Sequence, residues 1–365
     1  MKRKCDFRVL FVTRTNRHNA PYLDSSVRYR CYNPAEVMAD MGCLADVVAS
    51  ARLDAKMMDN YDAFVFHRPS GDDDNQMRCL ERADALGKPC VADYDDLTFD
   101  PAFALHSSAY RNGRISGNRA MEVFESNKRG LLSFDSFTVA TGPLADRVVA
   151  VKPGAEVCVV HNGLSPNLVA SFPPLKAMSL RRHAARKVLS YLSGTSNHIP
   201  DIGFVADAIA KFLDSRPDFG LVIMGKLKSI PGLCGRRGVH RVGMRDFHSF
   251  FQHASAYYAN LAPLAPDSMF NECKSALKFF ESGVWGVPTI AYPNADFRRF
   301  SDSRGLLFAK SPESWLEALE KISDDGFYRE ATEGLRGYCL RNCMATGPAR
   351  RLLAFLQGGG AKCGC

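Results

Sequence analysis

Short apolar runs that alternate with longer amphipathic stretches dominate the chain and limit what it can fold into. In the first half the apolar runs are Arg8–Thr13, Ala45–Ala49, Ala63–His67, Pro89–Asp93, Phe137–Thr141 and Glu156–His161. Stretches of helical periodicity lie between several of them, at Pro34–Met41, Asn75–Leu86, Met121–Leu131 and Leu144–Val151. Gly42, Gly87 and Gly154 fall where helices end. The second half repeats the plan, with apolar runs at Val188–Leu192, Leu221–Met224, Val239–Val242, Ala256–Leu261, Pro288–Tyr292 and Gly305–Phe308. Helices are predicted at Ile202–Leu213, Phe247–Ala254, Ser275–Trp285, Glu313–Ile322, Tyr328–Arg341 and Pro348–Leu356. Strands alternating with helices of this length form βαβ units, and therefore parallel, doubly wound sheets. The pattern predicts an α/β protein of two Rossmann-like domains facing a central cleft.

The 365 residues suffice for two domains of ordinary size, and 46% hydrophobic residues suffice for two cores. The basic, proline-containing stretch Pro166–Arg186 reads as the linker. An N-terminal domain is expected over residues 1–175 and a C-terminal domain over 185–345. Residues 346–365 would form a last helix and tail that cross back to the first domain. No run approaches about 20 uninterrupted apolar residues, so no span of a bilayer is expected. Arg14 and Arg17 close the short run Val9–Val12, which argues against a signal peptide and for a cytoplasmic protein.

A net charge of +8 favours acidic partners in general, nucleotides and phosphorylated substrates among them. The surplus is spread out and accompanied by no nucleic-acid-reading motif, so no nucleic-acid partner is expected. Twelve cysteines in a chain this long need not be disulfide staples. Their apolar surroundings, as in Val157-Cys158-Val159, read as small core residues in a reducing compartment. Cys339 and Cys343 have helical spacing but lack the paired arrangement of a zinc site, and no structural metal is predicted.

Ligands of open α/β sheets bind beyond the carboxyl ends of the strands, so residues just after strands matter most. The loop Ser193-Gly194-Thr195-Ser196-Asn197-His198 follows a strand and opens a helix. It could cradle phosphate with Gly194, Thr195 and His198, or be an ordinary turn with Asp201 as N-cap. A second segment is more specific: Asn271-Glu272-Cys273-Lys274-Ser275-Ala276-Leu277-Lys278-Phe279-Phe280-Glu281. On a continuous helix Lys274, Lys278 and Glu281 fall within about 60° of one another, with Ser275 beside them. Two lysines at a helix start oppose the macrodipole, and a docked anion would offset the conflict. An exposed Lys–Glu pair is the alternative.

Three groups end strands of the first half: Arg28-Tyr29-Arg30 after Asp24-Ser25-Ser26, His67-Arg68-Pro69, and Asp93-Tyr94-Asp95-Asp96. The acidic group could hold Mg²⁺ or cap turns, and the second is preferred. His67 could handle a proton or be a satisfied strand-end histidine.

These segments together resemble GT-B glycosyltransferases, specifically the retaining family-4-like group that uses nucleotide-sugar donors. The similarity runs from Arg28-Tyr29-Arg30 and Asn33-Pro34-Ala35-Glu36 through Val160-His161-Asn162-Gly163 and Val222-Ile223-Met224-Gly225. It ends on Asn271…Lys274-Ser275…Lys278…Glu281 with Gly286-Val287-Pro288. The family's Glu-x7-Glu is matched at Glu281, while its first position here is Cys273, so no catalytic role is transferred to Glu272.

The resemblance implies a sugar transferase acting from a nucleotide-diphosphate-sugar donor onto a glycan or lipid-linked acceptor, with retention, in surface polysaccharide synthesis. Gly194, Thr195, His198, Gly225, Lys274, Ser275 and Lys278 would hold the donor, with Glu281 on its ribose. Arg28, Arg30 and Asp95 would meet the acceptor. Glu281, Lys274 and His67 would carry catalysis without a metal or other cofactor. Contact with the inner face of a membrane stays open, as do an epimerase-type enzyme of the same fold and a non-catalytic sugar- or nucleotide-binding module.

Overall fold

All twelve apolar runs form strands, their ends displaced by a few residues at most. The computed structural model describes residues 6–173, 185–193, 199–225, 229–266 and 268–358. By packing, these divide into two units. The first takes the described residues of Met1–Leu168, Cys273–Ser275 and Met344–Cys365; the second takes those of Val169–Glu272 and Ala276–Cys343. Within the expected linker, Pro166–Ser171 is helical and residues 174–184 lie outside the described ones.

The first unit's sheet comprises β1 (Arg8–Thr13), β2 (Leu44–Ala49), β3 (Ala63–His67), β4 (Cys90–Tyr94), β5 (Ser136–Val139) and β6 (Glu156–Val159), in the order β2-β1-β3-β4-β5-β6. The second unit's sheet comprises β7 (Lys187–Leu192), β8 (Phe219–Met224), β9 (Val239–Val242), β10 (Ala259–Ala262), β11 (Thr289–Ala291) and β12 (Leu306–Phe308), in the order β12-β11-β10-β7-β8-β9. Every strand pair in both sheets is parallel. Helices cover both faces, so central strands such as β3 and β10 are buried along their whole length. The second sheet has the Rossmann order, whereas the first has the flavodoxin-like order, a distinction the apolar pattern does not encode. The order reverses between β1 and β3 in the first unit and between β7 and β10 in the second. Doubly wound sheets bind ligands at the carboxyl ends flanking such a reversal.

Three helices differ from expectation. The stretch predicted as Ile202–Leu213 is two helices, Ile199–Phe204 and Ala206–Ser215, interrupted at Val205. Tyr328–Arg341 is likewise split into Asp325–Thr332 and Leu335–Asn342, with Gly334 at φ +70° between them. The helix expected from Ser275 starts only at Leu277 and ends at Gly283. The last helix, Thr346–Leu356, lays Leu352, Leu353, Phe355 and Leu356 into a first-unit core that includes Val9, Phe11, Met38 and Val65. Cys31, Cys43 and Cys158 belong to the same core. Among the described residues no helix is long and apolar enough to cross a membrane.

Leu352→Ala should remove a nearly fully buried side chain from that core and destabilise the first unit by about 2–5 kcal/mol. Urea unfolding followed by far-UV circular dichroism checks it; an unchanged midpoint would separate the last helix from the core.

Candidate functional site

At the reversal of the first sheet, Thr13 and His67 are register partners at the ends of β1 and β3. Thr13 Oγ1 lies 3.0 Å from His67 Nδ1, and Ser26 Oγ lies 3.0 Å from His67 Nε2. The Ser26 hydroxyl donates to Asp95 Oδ2 at 2.6 Å, so Ser26 Oγ can only accept from the imidazole. In the neutral ring the proton therefore sits on Nε2, which also lies 3.3 Å from Asp95 Oδ1, and Thr13 donates to Nδ1. Both ring nitrogens are engaged and the side chain is 2% exposed. That geometry favours a satisfied, positioning histidine over one that meets substrate.

Asp95 also accepts from Arg68 Nε at 2.6 Å. Burial alone would raise the Asp95 pKa, but the Arg68 charge and the His67 contact hold it well below the usual carboxylate range. Arg68 keeps its charge: burial opposes it, and Asp95 and Asp96 more than compensate. Its backbone has φ +52°, which among the described non-glycine residues is unique to it. The segment after it is clamped on the helix Gly117–Leu132. Gly71 N donates to Ser126 O at 2.9 Å and Ser70 Oγ meets Ser126 Oγ at 2.6 Å. A Cβ on Gly130 would fall 2.8 Å from the Pro69 carbonyl, so only glycine permits this approach.

The two arginines expected at the acceptor have structural partners. Arg28, which opens the π-helical segment Arg28–Tyr32, pairs at 2.6 Å with Glu36 of the α-helix that follows. Arg30 donates from Nε and Nη2 to the two oxygens of Asp93, at 2.9 and 2.5 Å, and from Nη1 to Val160 O and Asn162 Oδ1. Arg30 and Asp93 are each 3% exposed. Arg30 thus ties the ends of β4 and β6 together and offers almost no surface to a ligand.

In the second unit the reversal lies beside Leu192 and Ser193. Ser193 N donates to Met224 O at 2.9 Å, and Gly225 N donates to Val242 O at 3.0 Å. Gly225 has φ +132°, and a Cβ there would stand 1.8 Å from the Ser193 carbonyl oxygen, so any side chain would force these two strand ends apart. The Lys278 ammonium donates to the Leu192 carbonyl, which ends β7, and lies 5.3 Å from the centre of the Tyr191 ring. Asn260 Nδ2 donates to Lys278 O at 2.8 Å, which fixes this helix against β10. Glu281 is buried, 6% exposed, on the same helix. Gly194, Thr195 and His198 lie outside the described residues.

Asp201 is not an N-cap. It sits inside the helix Ile199–Phe204, and its Oδ1 accepts from Ala265 N at 2.9 Å and Asn271 Nδ2 at 3.0 Å. Asn271 therefore anchors the loop after β10, and Asn294 Nδ2 donates to its carbonyl at 2.9 Å. Glu272 Oε1 accepts from Ala295 N at 2.8 Å and Arg298 Nη2 at 3.1 Å, tying down the start of the short helix Ala295–Arg298. Cys273 is fully buried, and its carbonyl accepts from Thr141 Oγ1 at 3.0 Å.

Lys274 and Ser275 precede the helix, so Lys274 does not stack one turn below Lys278. Lys274 Nζ stands 3.7 Å from Asp96 Oδ1. The anion that the helix start calls for is supplied internally: Asp296 Oδ2 accepts from Ala276 N at 2.7 Å. A carboxylate twenty positions downstream does what the local sequence leaves undone. Among the described residues no three His, Cys, Asp or Glu side chains are grouped to hold a metal ion. A surface cavity of about 540 Å³ lined by Arg304, Phe308, Glu317, Lys321 and Glu330 lies at the edge strand β12, beyond β10 and β11 from β7. It takes no part in this site.

The fold that makes these two reversals has counterparts in solved structures. The chain has the fold of the GT-B enzymes. Anabaena HepE in complex with UDP and glucose is 12% identical, with a TM-score of 0.61 over 96% of this chain and 100% of its own. WaaG, a glycosyltransferase involved in lipopolysaccharide biosynthesis, is 13% identical with a TM-score of 0.60 over 96% and 100%. A putative UDP-N-acetylglucosamine 2-epimerase from Listeria monocytogenes is 12% identical with a TM-score of 0.55 over 97% and 96%. No family model matches the chain, and no curated protein sequence does.

Because the Asp95 pKa is depressed in the folded state, its stabilisation is complete above the unfolded value of about 4 and is lost as pH falls below it. Arg68→Gln removes the main opposing charge, so its acid-unfolding midpoint should move to higher pH than the wild type's. Circular dichroism across an acid titration checks this; coincident midpoints would show that the pair does not hold the carboxylate ionised.

Proposed function

We propose that the chain is a glycosyltransferase that moves a sugar from a nucleotide-diphosphate donor to a glycan or lipid-linked acceptor. The observation that carries this reading is the Lys278 ammonium fixed on the last carbonyl of β7, at the reversal of the second sheet. A cation there meets the negative charge that grows on a leaving diphosphate as the glycosidic bond breaks, and it meets it pre-positioned. Gly225 lets the end of β8 close on the Ser193 carbonyl, which sets the strand ends beside Leu192. Residues 194, 195 and 198 follow β7 directly, and with Lys274 and Ser275 they complete the proposed donor set. Buried Glu281 would accept hydrogen bonds from the donor's ribose.

The sugar would leave with retention, and the first unit would present the acceptor. Asp95, held ionised, suits the binding of an acceptor hydroxyl better than its deprotonation, because a carboxylate of low pKa is a weak base. The first nucleotide to test is uridine diphosphate, since HepE is a fold neighbour whose structure contains UDP. Surface polysaccharide or lipopolysaccharide synthesis is the proposed setting, by analogy with WaaG. A nucleotide-sugar epimerase is the second reading, prompted by the Listeria neighbour. A transferase hydrolyses donor slowly and is accelerated by acceptor, whereas an epimerase interconverts free nucleotide sugars.

Lys278→Ala should weaken UDP binding about 10- to 100-fold, the worth of one charge-assisted hydrogen bond, with the fold retained. Isothermal titration calorimetry checks this, and unaltered affinity would remove the ammonium from the donor site. Glu281→Gln should weaken UDP binding about 3- to 30-fold, as expected of a weakened ribose contact, with a smaller change in turnover at saturating donor. Wild-type UDP affinity in that variant would exclude the carboxylate from the ribose site.

A further inference from the structure

A charge withdrawn from water at a strand end must be paired or hydrogen-bonded to be tolerated. Arg14 meets this rule only in part. It follows Thr13 at the carboxyl end of β1 and is half-buried. Its hydrogen bond runs from Nη2 to the neutral Asn127 Oδ1, at 2.7 Å. The ion pairs among the described residues do not include it. Carboxylates on this side of the first unit are committed elsewhere: Asp72 to Arg129, Asp73 to Gln76 N, and Asp24 to Thr15 and Ser26. Asp95 is taken by Arg68, Ser26 and His67.

The nearest like charge makes the position less comfortable still. Burial, with the Arg68 charge adding to it, pulls the Arg14 pKa below its ordinary value, against the opposing pull of Tyr94, Asp73 and Asp72. Arg68 leaves the neighbouring strand β3 in a backbone conformation unfavourable for arginine, is 29% exposed, and bonds to Asp95 through Nε alone. The Tyr94 hydroxyl, within electrostatic reach of Arg14, is buried without a hydrogen-bond partner. A chain selected for stability alone would not strain the backbone of one arginine and leave another without a counterion at adjacent strand ends.

We propose that Arg14 and Arg68 form an oxyanion site on the first unit, taking a phosphate or carboxylate group of the molecule that this unit engages. Among the described residues Arg14 Nε and Nη1 and Arg68 Nη1 and Nη2 have no protein acceptor. Planar guanidinium forks are suited to the paired oxygens of such a group. The bound anion supplies the counter-charge that Arg14 lacks. The rigid Asn127 and Asp95 contacts keep both groups aimed before it arrives. On the transferase reading the anion belongs to the acceptor, but the site does not depend on that reading.

Protein labelled at arginine side chains is titrated with inorganic phosphate, glucose 6-phosphate, glucuronate and glucose, and the Nε–H resonances are followed by NMR. The Arg14 and Arg68 signals should shift saturably with phosphate and with at least one of the two charged sugars, and not with glucose. Which charged sugar binds tells phosphate from carboxylate. Arg14→Gln should weaken that binding at least about tenfold, while its thermal midpoint holds or rises because an uncompensated charge is gone. Arg68→Gln should weaken binding to a similar degree, so the inference stays testable if the first variant misfolds. Resonances that ignore every anion, an equal response to glucose, or undiminished affinity in the variants would each overturn it. No nucleotide enters the titration, so its failure is distinct from failure to bind UDP.

Discussion

A parallel sheet needs a crossover after every strand, and where successive crossovers change direction the neighbouring loops part and leave strand ends uncovered. Each unit of this chain makes that change once. In the first unit it brings Thr13 beside His67, and in the second it brings Leu192 and Ser193 close to the end of β10. The polar side chains that a packed α/β core would otherwise exclude collect at these two places. They do so because strand ends are the positions where buried backbone gives way to loops that can supply partners.

The first-unit cluster is held by packing on one helix. Gly117–Leu132 presents Ser126 and Gly130 to the Pro69–Gly71 segment, and Asn127 to both Arg14 and Thr98. Loops leaving three adjacent strands, β1, β3 and β4, are therefore referred to a single rigid element. That arrangement can carry the left-handed Arg68, because the residues after it cannot relax without opening the contact at Gly130. It also leaves His67 and Asp95 little freedom, since each of their polar atoms already has a partner with fixed geometry. The second-unit cluster is built differently. Its anchors are separate carboxylates rather than one helix, Asp201 for Asn271 and Ala265, and Asp296 for Ala276.

This contrast explains what could be read from the amino-acid order. The strands were legible because a buried parallel strand is a short unbroken apolar run, and no other local conformation writes that pattern as compactly. The reversal points were not, because strand order depends on which crossovers turn back. The start of the helix at Leu277 was hidden for a related reason: the carboxylate that serves its N-terminus, Asp296, is on another element. Arg30 looked like a ligand-facing cation because arginine is rarely buried unless paired, and its partner Asp93 lies 63 residues away. Arg14 and Arg68 carried no signal beyond their place after strands. A positive φ and a missing counterion exist only in three dimensions.

Cys273 shows how closely the two kinds of anchoring constrain variation. In the resembling family a glutamate occupies this position of the Glu-x7-Glu pattern, and the adjacent Glu272 might be taken as its substitute. The two side chains face different tasks. Glu272 is drawn towards Ala295 N and Arg298, where it pins a short helix, while the Cys273 side chain is fully buried. A carboxylate buried as deeply as Cys273 would need partners to stay ionised, whereas a thiol packs as a small hydrophobe. Glu281 sits on a helix fixed in place by Asn260 and by the Lys278 contact with β7.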